Sequence, residues 1–153
     1  MKESLPLDSP LGAIYRGGGF LCGVVLVVFG GAGFLKGVPF YGVHGESVLG
    51  LHTNGLLSLL SVIFGVVLIG AAAVSGNLAA TVNTVVGIVL LLSGLGNLAL
   101  IRTDLNFLAF RMSNIIFSFV VGLALLIVGL YGRVSTGSAT GDRTDALIDD
   151  GER

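Results

Sequence analysis

Four long apolar runs, at residues 17–35, 49–74, 78–101 and 107–131, take up most of this chain, and no Lys, Arg, Asp, Glu or Pro interrupts the first three. Each has about the length, roughly 20 residues, that a helix needs to cross the hydrocarbon core of a bilayer. The centre of the second run holds Leu56, Leu57, Leu59, Leu60, Val62, Ile63 and Phe64. Side chains of this kind near the membrane midplane favour insertion by several kcal/mol together, and Ser58, Ser61 and Gly65 cannot offset that.

The polar surface needed for solution is missing. Of 153 residues, 54% are hydrophobic and 11% charged, where a soluble domain carries about a quarter charged. The 25 glycines belong to the same picture. In a water-exposed helix each costs about 1 kcal/mol relative to Ala. In lipid the backbone has no competing water, so helices persist and glycine becomes a means of close approach. The expected fold is therefore all-α: an antiparallel integral membrane four-helix bundle with Gly-rich helix interfaces. Its expected divisions are an N-terminal tail over 1–16, the four-span domain over 17–133, and an acidic, disordered tail over 134–153.

Small and polar residues run as stripes along the spans. The first carries Gly19, Gly23, Gly30, Gly33 and Gly37, and the second Asn54, Ser58, Ser61, Gly65 and Ala72. The third carries Asn83, Gly87, Gly94 and Asn97, and the fourth Arg111, Asn114, Ser118, Gly122, Gly129 and Gly132. The pairs Gly23/Gly30, Gly87/Gly94 and Gly122/Gly129 share a spacing of seven, which returns to nearly the same helix face and predicts a packing seam crossing near +20°. Ser75-Gly76-Asn77 is so short a link that the second and third spans must be antiparallel neighbours. The glycines Gly30, Gly31 and Gly33 exceed what one seam requires, which points to a homo-oligomer.

Because the spans alternate in direction, His52, Asn54, Asn97, Arg111 and Asn114 fall near one end of the bundle, together with loop residues His44, Glu46, Arg102 and Asp104. The slight excess of Lys and Arg on the side of the termini predicts both termini in the cytoplasm and this polar end outside. The outer cluster is a candidate vestibule for a headgroup or small solute. The competing reading is that these groups hydrogen-bond helix to helix, each for about 1 kcal/mol or less.

Most catalytic chemistries lack their residues. A net charge of −1 with dispersed Lys and Arg leaves no nucleic-acid footprint. The single Cys22 cannot form an internal disulfide, a redox pair or a cysteine zinc site, and reads as a small apolar residue. No cleavable signal peptide is expected. His44, Glu46 and His52 offer three metal ligands where structural zinc sites close four, and no His-Glu-x-x-His is present, so neither metal nor cofactor is expected. Gly17-x-Gly19 with Gly23 imitates a dinucleotide fingerprint without its preceding strand.

Four stretches carry a likeness to a known group: Leu49-Gly50-Leu51-His52-Thr53-Asn54-Gly55-Leu56-Leu57, Asn83-Thr84-Val85-Val86-Gly87, Leu105-Asn106-Phe107-Leu108-Ala109-Phe110 and Gly129-Leu130-Tyr131-Gly132-Arg133. With the first-span glycines they span roughly residues 17–135. The chain resembles a family of small four-span membrane proteins, found mainly in actinobacteria and described only as a domain of unknown function. The resemblance implies four spans and residence in the plasma membrane, and it brings no activity, cofactor or catalytic residue. The expected role is that of a non-enzymatic accessory or scaffold protein of the cell envelope, with the lipid bilayer and another membrane complex as partners. The alternative is a small-solute or lipid carrier working through the outer vestibule.

Overall fold

The computed structural model describes residues 10–37, 40, 46–105 and 111–151, with side chains described over 13–37, 40, 47–105 and 111–132. The element order is α1 (Pro10–Leu35), β1 (Glu46–Val48), β2 (Leu51–Thr53), α2 (Gly55–Val74), α3 (Gly76–Leu100) and α4 (Met112–Gly151). Ala13–Leu35, Gly55–Val74, Gly76–Leu100 and Met112–Gly132 are each long and apolar enough to cross a membrane. The chain is an all-α, multi-pass membrane four-helix bundle.

Local chemistry sets the helix ends. Pro10 opens α1, where its missing N–H costs nothing. Gly37, at φ +63°, follows the last turn, and its N–H donates to the Phe34 carbonyl at 3.0 Å. Asn54 caps α2, its Oδ1 accepting from the Leu57 N–H at 2.9 Å. Ser75 serves two helices at once. Its N–H donates to the Ala71 carbonyl as α2 ends, and its Oγ accepts from the Leu78 N–H at 3.2 Å as α3 begins.

Three boundaries depart from the sequence reading. The first helix begins at Pro10 rather than at 17, because nothing after Pro10 breaks it. The run from 49 is not helical at its start: residues 49–53 belong to a β-hairpin, and α2 begins only at Gly55. Helix α4 continues past its membrane span to Gly151, through residues expected as a disordered tail. An established helix extends at little cost per residue, and no Pro stands in its way. Residues 1–9 of the expected N-terminal tail and 106–110 at the expected start of the fourth span lie outside the described residues.

Packing is organised as two tight pairs. A Cβ at Gly23 would lie 2.8 Å from the Gly65 carbonyl oxygen, and one at Gly65 would lie 2.6 Å from that of Gly23. The same reciprocal contact joins Gly87 and Gly122, at 2.8 and 3.0 Å. So α1 is locked to α2 and α3 to α4, backbone against backbone, where any side chain would push the helices apart. Gly30 meets the Ser58 carbonyl, and Gly129 meets Thr84 and the Ala80 carbonyl, while Gly94 makes ordinary contact with Ser118 and Phe119. The glycines expected in one seam are thus divided between two.

Between the pairs lies a core of Leu26, Leu68, Val86, Val121 and Leu125, with Cys22, Phe64, Val82, Leu90 and Phe117 against it. Lipid is as apolar as leucine, so this core stabilises by packing rather than by escape from water. Val28, Val66, Leu92, Val120 and Leu123 point outward, as a lipid-facing surface requires.

Candidate functional site

At one end of the bundle the hairpin sits over the helix ends. Val48 pairs with Leu51 across a two-residue turn, Leu49-Gly50, with φ at +52° and +83°. Positive φ at both turn positions gives the backbone the twist of a tight antiparallel hairpin. In such a ladder the pair next but one to the turn, Ser47 and His52, directs its N–H and C=O groups away from the partner strand. Both outward edges are met. Lys36 Nζ donates to the Ser47 carbonyl at 2.8 Å. On the other edge Asn114 Oδ1 accepts from the His52 N–H at 2.8 Å, and Asn114 Nδ2 donates to the His52 carbonyl. One side-chain amide therefore acts as a third strand, contributed by α4.

Beneath the hairpin is a buried polar knot. Thr53 Oγ1 donates to the Asn54 carbonyl at 3.1 Å and lies 2.9 Å from Ser58 Oγ. Thr53, Asn54, Ser58 and Asn114 are all at most 3% exposed. Gly33 of α1 leaves room for the Ser58 hydroxyl. Phe40 closes the corner, lying over Gly55 with its carbonyl accepting from the Leu56 N–H at 3.0 Å.

The five residues expected to form one outer cluster take different places. His52 and Asn114 are joined, and Asn54 is a helix cap next to them. Asn97 turns back on its own helix, donating to the Ser93 carbonyl at 2.8 Å. Arg111 is exposed at the head of α4, where its carbonyl accepts from the Asn114 and Ile115 N–H groups. Thr53 and Ser58, which complete the knot, were not singled out for it from sequence; the spacing of a hydroxyl just before a cap and another in the first turn is the only trace. Among the described residues no three His, Cys, Asp or Glu side chains come together as a metal site. His44 and the side chain of Glu46 lie outside that description.

A cavity of about 180 Å³ lies under the knot, between all four helices. Leu26 and Phe29 of α1 and Phe117 of α4 form its back, and Leu51 of β2 and Asn114 lie at its hairpin side. Ser61, Ser93 and Ser118 add hydroxyls to walls that are otherwise apolar. The Ser61 hydroxyl is already taken, donating to the Leu57 carbonyl at 2.8 Å.

The opposite end is held by other means. Arg16 Nε donates to the Ala72 carbonyl at 2.7 Å, placing a cation on the C-terminus of α2, where the helix dipole favours it. Asn83, 1% exposed, donates from Nδ2 to the Tyr15 carbonyl at 3.3 Å and packs on Gly19, its Oδ1 buried without a partner among the described residues.

No curated protein and no solved structure matches the chain. A family does, over residues 16–131, from Arg16 at the foot of α2 to the last turn of the fourth span. That stretch takes in both glycine locks, the hairpin and the cavity, and by it this chain belongs to the family described as domain of unknown function DUF4383.

Proposed function

We propose that this membrane protein is a non-enzymatic accessory or scaffold protein of the cell envelope, resident in the plasma membrane with both termini in the cytoplasm, which stabilises or positions another membrane complex. What supports this reading above all is where the buried polar groups go. Asn114, Asn54, Thr53 and Ser58 bond the chain to itself and secure the hairpin end. That is the chemistry of a rigid body with an apolar outer face, suited to lie against other spans. Of the glycines that pointed to self-association, Gly30 and Gly33 face Ser58 within the chain, and Gly31 faces open space. Purification of the full chain in a mild detergent, with quantitative mass spectrometry of what accompanies it, tests the proposal. A constant stoichiometric membrane partner is expected, and a solitary chain at every detergent strength overturns it.

A second reading, a small-solute or lipid carrier entered from the hairpin end, draws on the cavity in the hairpin-side half of the bundle. Its test is transbilayer movement of fluorescent phospholipid in vesicles containing the protein; a rate equal to that of empty vesicles overturns it.

A further inference from the structure

The cavity has a back and a mouth. Its residues on α1 are shut in, Leu26 at 3% and Phe29 at 4% exposure, and Ser118 of α4 is buried as well. Apart from buried Ser61, those on α2 and α3 are not: Leu57, Leu60, Phe64, Leu90 and Ser93 are half-buried, as is Phe117 of α4, and Val89, the most open, is 39% exposed. The opening is therefore between α2 and α3. These two helices meet at Ser75, and the residues around the opening lie in the first half of α2 and the second half of α3, away from that joint. What stands outside a gap between two membrane spans is hydrocarbon.

We infer that this cavity is a binding site for the end of one acyl chain of a bilayer phospholipid, which enters sideways between α2 and α3. Three observations converge on that occupant. The walls are apolar, and the Ser61 hydroxyl is already bonded within its helix. The volume, about 180 Å³, exceeds the roughly 150 Å³ of an apolar protein cavity known to hold benzene, so a short length of chain fits. A cation is at hand for the headgroup: Arg102, exposed, stands two residues past the end of α3, one of the two helices that border the mouth. The site stands independently of the accessory role proposed above, since a scaffold and a carrier could equally hold a lipid.

The test uses the full chain in vesicles of phosphatidylglycerol and phosphatidylethanolamine, doped with phosphatidylglycerol carrying a diazirine near the end of one acyl chain. Illumination makes a carbene that inserts into the nearest C–H bonds, and peptide mass spectrometry locates the adducts. Adducts are expected on the back wall, at Leu26 and Phe29, besides those on the lipid-facing Val85 and Leu92. Filling the cavity with Ser61→Leu and Ser93→Leu together should lower back-wall labelling at least tenfold and leave Val85 and Leu92 unchanged. Leu90→Phe, which narrows the mouth from α3, should do the same. Back-wall labelling absent from the native chain, or equal in native and filled chains of the same thermal stability, overturns the proposal.

Discussion

The glycine-locked pairs and the gap between α2 and α3 are opposite solutions to the same problem. Within each pair, small residues at matched heights bring two backbones into contact. Across α2 and α3, which are joined by Ser75 alone, the facing residues are Leu57, Leu60 and Phe64 against Val89, Leu90 and Ser93, and a hollow remains. Adjacency along the chain therefore does not decide intimacy in the fold. A tight turn makes two helices neighbours, but only the size of the facing side chains decides how near they come. In a medium without a hydrophobic drive between helices, that distance accounts for most of the attraction.

The contrast can be attacked first at the seams. Gly87→Val puts a branched side chain against the Gly122 carbonyl and the Leu126 N–H, so α3 and α4 must separate. A loss of about 3 kcal/mol in stability is expected, read from the denaturation midpoint in detergent. A loss equal to that of a lipid-facing glycine would deny that the seams carry the fold. Next in size is Asn114→Ala, which strands the N–H and C=O of His52 and should cost about 2 kcal/mol in the same measurement. Asn54→Ala removes the cap of α2 and should cost about 1 kcal/mol. At the gap the sign reverses: Ser93→Leu adds packing where there was space and should stabilise by about 0.5 kcal/mol. Smallest of all is Gly31→Ala, which meets nothing within 4 Å and should shift the midpoint by less than about 0.5 kcal/mol.

The spans and their seams were legible in the sequence because both are periodic. An apolar run of bilayer length has one stable form in lipid, and Gly23, Gly87 and Gly122 stand at heptad spacings that mark a contact face. Which seam meets which was not legible, since a glycine stripe carries no mark of its partner. The reciprocal contact of Gly23 needs Gly65, which has Ser58 and Ala72 rather than glycine seven residues to either side. The hairpin escaped for a different reason. Its turn is Leu-Gly rather than the Asn-Gly that announces a tight hairpin, and its strands are apolar enough to read as the start of the second span.

The polar cluster was half legible. Alternating helix direction gathers His52, Asn54 and Asn114 at one end, but direction alone cannot say that a side-chain amide meets a strand edge while Asn97 bonds backward to Ser93. That distinction depends on rotation about the helix axis and on a hairpin that had not been read.

The bond between His52 and Asn114 also orders events during synthesis. Its two halves are separated by 62 residues, and α2 and α3 lie between them. A nascent chain that has delivered three helices to the bilayer still lacks the amide that completes the strand edge. The hairpin's second edge is thus the part that closes last, when the fourth helix arrives.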